Sequence, residues 1–199
     1  METIDSSTRK KIKTTSLSEI LKRRDERFIY QQKLVDDFQK PLITFQINIP
    51  GSIKYSALCC LIHAAGSQEI FQSLTMNQFK CLFMEIRHEI TGIEGYYVVD
   101  TDPFILKKLC CEIEENHALG RLFDMDVMDR SGYRISRLSL GCLERTCMIC
   151  GKDVLSCRRE MKHSGEEYFS HIQSLVLSYF GFDAEMSKFF QEISMDNYE

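Results

Sequence analysis

An α+β fold, with a small mixed or antiparallel sheet flanked by helices and a helical C-terminal third, is what this sequence predicts. Three observations carry that expectation. Residues 42–49 and 119–129 alternate apolar and polar side chains with period two, the spacing of half-buried strands. Other stretches place apolar residues at helical spacing. Helix starts are marked by Ser16-Leu17-Ser18-Glu19, a capping box, and by Asp102-Pro103, a cap followed by proline at the first helical position.

At 199 residues the chain is long enough for one domain with a real core. The expected division is a loose polar tail over 1–15, then one domain over 16–199 with a Cys/His-rich segment at 142–163. The 44% hydrophobic and 27% charged content is ordinary for a globular chain. No apolar run approaches the roughly 18 residues of a membrane helix. Arg9, Lys10, Lys11 and Lys13 precede no apolar segment, so no secretory signal is read. Nine cysteines, including the adjacent pairs Cys59-Cys60 and Cys110-Cys111, do not suggest a disulfide framework, and a cytoplasmic location is expected. The net charge of −4 argues against a nucleic-acid partner. Yet residues 121–163 hold nine Lys/Arg against six Asp/Glu, a basic centre suited to a small phosphate-rich ligand.

The elements follow in order. After the capping box, Leu17, Leu21, Phe28, Val35 and Phe38 predict a long amphipathic helix ending near Pro41, with Lys22 to Arg27 on its solvated face. In the strand over 42–49, Ile43, Phe45, Ile47 and Ile49 face the core, and Pro50-Gly51 turns the chain. Lys54 follows that turn, either as a ligand contact at the strand end or as a plain loop lysine. Helices are read over 56–74 and 77–90, with Cys59, Cys60, Cys81, His63 and His88 given no role. A strand over 95–100 precedes the Asp102-capped helix, which runs to about Asn116. The last helices are expected over 166–180 and 183–193, before an acidic end.

The acidic strand carries the chemistry. Phe123, Met125 and Val127 point one way, and Asp124 and Asp126 the other, roughly 6 to 7 Å apart at Cα. Two carboxylates so placed repel unless a cation lies between them, which suggests Mg²⁺ holding phosphate oxygens. A solvated edge strand is the plainer alternative. Gly120 would let backbone approach a ligand closely, and Arg121, Arg134 and Arg137 crowd the same segment. Past the turn at Arg130-Ser131-Gly132, residues 133–140 read as the antiparallel partner strand, bringing Arg134 or Arg137 to the carboxylates. Then comes Cys147-x2-Cys150-x6-Cys157-x5-His163. A tetrahedral Zn²⁺ site and a reduced cysteine-rich loop both fit that spacing.

Taken together, several motifs resemble one family. They are Ile49-Pro50-Gly51 with Lys54; His117-x2-Gly120-Arg121-Leu122-Phe123-Asp124-Met125-Asp126-Val127; Ile135-Ser136-Arg137 with Leu140-Gly141; and Arg145-x-Cys147-x2-Cys150-x6-Cys157-x-Arg159-x3-His163. Over nearly all its length after the tail, the chain resembles the apo-citrate lyase phosphoribosyl-dephospho-CoA transferases, also called holo-citrate lyase synthases. The resemblance implies a nucleotidyltransferase-like fold and reaction. The donor would be 2′-(5″-triphosphoribosyl)-3′-dephospho-CoA. The acceptor would be a serine on the acyl carrier (gamma) subunit of citrate lyase, and diphosphate would leave. Asp124 and Asp126 would then hold Mg²⁺, and Gly120, Arg121, Arg137, Arg134 and Lys54 would bind phosphate. His117 or Asp129 would take the serine proton.

There is a departure from other nucleotidyltransferases, which carry a Gly-Ser on a helix before the Asp-x-Asp and a third carboxylate nearby. Here Arg121 stands in the serine's place, and Asp100 and Asp129 are the candidates for the third acid. Two alternatives stand beside the leading reading: the equivalent synthase for malonate decarboxylase, and a non-catalytic zinc-stabilised interaction module.

Overall fold

The computed structural model describes residues 16–50, 54–142 and 145–182. The expected tail over 1–15, Gly51 of the expected turn, the helix over 183–193 and the acidic end lie outside the described residues.

Helix α1 (Leu17–Phe38) starts as its sequence dictates. The Ser16 side chain accepts from the Glu19 amide while the Glu19 carboxylate accepts from the Ser16 amide, and Gln39 closes the helix in the left-handed conformation. Strand β1 (Leu42–Ile47) lies at the centre of a five-stranded antiparallel sheet of order β2-β3-β1-β4-β5. The others are β2 (Lys80–Glu89), β3 (Gly92–Asp100), β4 (Phe123–Met128) and β5 (Arg134–Ile135). The fold is therefore α+β, with helices on both faces of an open sheet.

Alternation along the strands divides the core. On one face Leu42, Tyr96, Val98 and Met128 pack against Leu34 and Val35 of α1. On the other, Ile43, Phe45, Tyr97, Met125 and Val127 meet α2 (Ala57–Met76), α3 (Pro103–Asn116) and α5 (Gly165–Phe180) through Ile62, Ile70, Leu106, Ile113, Ile172 and Val176. Helix α3 begins as expected, the Asp102 carboxylate accepting from the Phe104 and Ile105 amides. Among the described residues no helix is long and apolar enough to cross a membrane.

Two expectations are corrected. The segment expected to be a helix over 77–90 instead holds strand β2 (Lys80–Glu89), antiparallel to β3, after a turn that closes α2. Its period-two pattern is masked because it has an apolar residue on either side: Phe83, Glu85 and Arg87 are half-buried toward α1, while Met84 and Ile86 are exposed on the opposite face. Pairing with the fully buried β3 overrides local preference. The partner strand expected over 133–140 is reduced to Arg134–Ile135, followed by a 3₁₀ turn at Leu138–Leu140. There Ser136 accepts from the Ser139 amide through Oγ and from the Ser139 hydroxyl through its carbonyl, so side chains take over from the ladder.

Candidate active site

The two aspartates project where the alternation puts them, on the α1 side of β4. In register, Gln46 of β1 lies opposite Asp124 and Thr44 opposite Asp126. These four side chains, with Arg24 and Arg27 of α1 and with Arg134, line a cavity of about 760 Å³. Arg134 Nη1 donates to Asp126 Oδ2 at 2.8 Å. The Asp124 side chain reaches solvent, yet its pKa is raised. Crowding by protein is the main cause, the charges of Asp126 and Glu114 add to it, and Arg145 and Lys107 oppose it.

The backbone between the two acids is held from the other face. β4 borders β1 on one edge, but β5 covers only Val127 and Met128 on the other. At Met125 helix α3 stands in: the Met125 amide donates to Glu114 Oε1 at 2.8 Å and its carbonyl accepts from Lys107 Nζ at 2.7 Å. Both α3 residues are buried. Glu114 also accepts from Arg137 Nη1 at 2.6 Å and pairs with Arg145.

A second cavity, about 700 Å³, opens where β1 runs out. Asn48, Ile49, Pro50 and Lys54 form one wall, and Arg121, Arg145 and the segment from Thr146 to Tyr168 form the rest. Arg121 donates to the Thr146 carbonyl; burial lowers its pKa, and the neighbouring guanidinium groups of Arg145 and Arg137 lower it further. Lys54 is half-buried and donates to the Ile49 carbonyl, and burial lowers its pKa too. Three cations thus share a cleft.

The cysteine segment forms part of that wall. One ligand atom each from Cys147, Cys150, Cys157 and His163 lies within 4.8 Å of the others. Burial works against ionisation of Cys147, but the Tyr168 hydroxyl, the Cys150 and Ile149 amides and the Cys157 thiol donate to its sulfur. The net effect is a pKa pulled down to about 6. His163 Nε2 is buried with no hydrogen-bond partner. A thiol favouring its anion and an orphaned imidazole nitrogen in one cluster fit a tetrahedral metal site.

The other expected residues fall elsewhere. His117 caps the end of α3: Nδ1 accepts from the Leu119 amide at 3.0 Å, Nε2 lies 3.3 Å from the Tyr179 hydroxyl, and the ring packs on Phe123. It lines neither of these cavities. Arg137 reaches Glu114 and Glu115 and not the aspartates. Gly120 meets no ligand space; a Cβ there would sit 2.5 Å from the Glu114 carbonyl oxygen, so its close approach is to the last turn of α3. Asp129 accepts from the Ser131 and Tyr133 amides and shapes a turn. Asp100 pairs with Lys40, beyond the Leu42–Val98 register position, at the opposite end of β1 from Asp124.

Sequence reasoning missed Glu114 and Lys107, and gave Arg145 no role beyond its place in the cysteine motif. The available signal was the seven-residue spacing of Lys107 and Glu114, two turns apart beside the buried stripe of α3.

Comparison with known proteins identifies the family of the chain. The profile of the apo-citrate lyase phosphoribosyl-dephospho-CoA transferase family matches residues 15–179. A probable apo-citrate lyase phosphoribosyl-dephospho-CoA transferase of Vibrio cholerae is 32% identical over 170 residues, covering 83% of this chain and 94% of the relative. One of Streptococcus pyogenes is 33% identical over 175 residues, 86% of this chain and 90% of the relative. Protein CitXG of Haemophilus influenzae is 33% identical over 161 residues, which is 81% of this chain but only 35% of that longer protein. The chain belongs to the family of apo-citrate lyase phosphoribosyl-dephospho-CoA transferases.

Proposed function

We propose that this protein attaches the phosphoribosyl-dephospho-CoA prosthetic group to a serine of the acyl carrier (gamma) subunit of citrate lyase, with 2′-(5″-triphosphoribosyl)-3′-dephospho-CoA as donor. Its family makes it a transferase of that group onto apo-citrate lyase, which favours this reading over a malonate decarboxylase synthase or a non-catalytic module. The observation that carries the site assignment is an acid pair and a cationic cleft at one end of β1, Gln46 lining the first cavity and Asn48 the second.

The chemistry is a nucleotidyltransferase-type displacement. The serine oxygen bonds to the phosphorus next to the ribosyl group, the bond to diphosphate breaks, and the serine proton is released. Such reactions need charge neutralisation and in-line positioning more than covalent catalysis. Asp124 and Asp126 suit a hard divalent ion: two carboxylates share one strand face, and crowding raises the proton affinity of one of them. Mg²⁺ bound by them would neutralise triphosphate oxygens. Arg121 and Lys54 bind the departing phosphates, and Arg134, which pairs with Asp126, would supply a further guanidinium for phosphate were that carboxylate engaged by a divalent ion. The local partners of His117 favour a capping role over that of proton acceptor. Cys147, Cys150, Cys157 and His163 hold a structural Zn²⁺ that shapes the cleft wall, and their thiols suit a reducing cytoplasm.

Intact mass of the apo acyl carrier subunit, after incubation with this protein, Mg²⁺ and the donor, tests the proposal. The expected result is a gain equal to the phosphoribosyl-dephospho-CoA adduct. With Asp124→Asn or Asp126→Asn the rate should fall by about 10³-fold or more while circular dichroism stays native. No adduct from folded wild-type protein and verified donor would overturn the reaction, and wild-type rates in both variants would overturn the metal assignment.

A further inference from the structure

We propose that Lys107 and Glu114 are positioning residues for the acid pair, an inference that rests on reading Asp124 and Asp126 as the divalent-metal site. The ladder between β4 and β5 pairs Val127 with Ile135 and then stops. Met125 is the next residue of β4 whose amide and carbonyl face that edge. Both groups are met by α3 side chains, Glu114 at 2.8 Å and Lys107 at 2.7 Å. Met125 stands between Asp124 and Asp126, so the two peptide groups held in this way are the ones that join it to the two acids and set the direction of both carboxylates.

Burying a lysine and a glutamate is an expensive way to cap two backbone groups, because each charge gives up its hydration. A third strand residue would do the same work with neutral groups, but it would occupy the edge beside the acids. Two side chains reaching from beneath leave that edge open and still fix the backbone. Glu114 extends the arrangement, since it also holds Arg137 and Arg145. Through Arg145, which lines the second cavity, the carboxylates and the cationic cleft are referred to one buried anchor. Groups that orient metal ligands without touching the metal commonly change affinity by about 10- to 100-fold when removed.

The test uses the full chain stripped of divalent ions other than zinc, with Mn²⁺ as the probe and electron paramagnetic resonance counting free Mn²⁺. Wild-type binding that is lost in Asp126→Asn defines the site. Lys107→Met is expected to weaken Mn²⁺ binding about tenfold or more, and Lys107→Arg, which returns a donor, to recover part of it. Glu114→Met, which removes the acceptor for the Met125 amide, should behave like Lys107→Met, and Glu114→Gln, which keeps an acceptor oxygen, should retain part of the binding. Val176→Ala, a cavity variant in α5 chosen to lose as much thermal stability, should bind Mn²⁺ as wild type does. A folded Lys107→Met that binds Mn²⁺ with wild-type affinity overturns this inference and leaves the acid-pair assignment intact. Wild-type Mn²⁺ binding indifferent to Asp126→Asn sinks both.

Amide exchange of the wild-type protein provides a measurement that needs no variant. The Met125 amide should exchange as slowly as that of Val127, and exchange as fast as an unprotected edge amide would overturn the inference.

Discussion

A methyl group at Gly120 would lie 2.5 Å from the Glu114 carbonyl oxygen and 2.8 Å from that of Ile113, and both contacts are backbone. Neither can give way without unwinding the end of α3, the helix that carries Glu114. Gly120→Ala should therefore destabilise the protein by about 1–3 kcal/mol, read as a lower urea midpoint at unchanged slope. Free tolerance of alanine would mean the turn is looser than its geometry states. The neighbouring Asp126–Arg134 pair is different. Both partners are half in solvent, and exposed pairs contribute ~0–1 kcal/mol, so its loss should be read in activity and not in stability. The direction of Asp124 and Asp126 was legible because alternation in a strand is a local rule. The partner of Gly120 was not, because it lies across a chain reversal that the residue types do not announce.

At the level of elements, the Cys/His cluster after the sheet has its own stability to report. Its four potential ligands gather at one point although they come from an irregular loop, the short helix α4 (Val154–Arg159) and the turn just before α5. Purified protein should contain about one zinc per chain by plasma mass spectrometry. With zinc at ~1,000 times its Kd, binding contributes about 4 kcal/mol, so chelation or Cys157→Ser should lower Tm by roughly 8–16 °C. A zinc-free preparation whose Tm ignores chelator would reduce the cluster to a pocket of thiols. The motif spacing suggested this cluster, and only the packing of Tyr168 and the two amides against Cys147 shows why the sulfur favours its anion. β2 shows the converse. Its residues mix apolar side chains on both faces, so its strand character came from the buried β3 beside it and not from its own pattern.

For the molecule as a whole, acid is the weak side. His63, 2% exposed, stacks on Phe45 and has Nε2 unpartnered; burial pushes its pKa down to about 4. A histidine whose folded pKa lies below its unfolded value of about 6.5 favours folding above that value. The benefit is lost as pH falls toward 4, because the unfolded chain takes up the proton first. Between pH 7.5 and 5 the loss should be about 2 kcal/mol, and His63→Gln should flatten that slope in urea titrations. Glu94 adds to the trend at lower pH. Burial opposes its ionisation, but hydrogen bonds from Arg23 and Tyr96 and the charges of Arg23 and Arg27 hold its pKa below the usual range. Its contribution is present above the ordinary glutamate pKa and fades as acid protonates it. A curve flat from pH 7.5 to 5 would contradict the burial of His63.

By itself the sequence determined the α+β class, the starts of α1 and α3, and the face on which Asp124 and Asp126 emerge, while the Cys/His spacing left a metal site and a reduced loop both open. Each follows from rules that act over a few residues: period, capping, spacing. The motif order also pointed to the family. Tertiary structure alone decided that β2 is a strand, that β5 stops after two residues, and that Lys107 and Glu114 complete the ladder at Met125. It also decided that Arg137 serves Glu114 while Arg145 joins Arg121 and Lys54 in the cleft. These are choices among partners distant in the chain. Buried charges and unpaired backbone groups take whichever partner packing brings within 3 Å, and no local pattern encodes that distance.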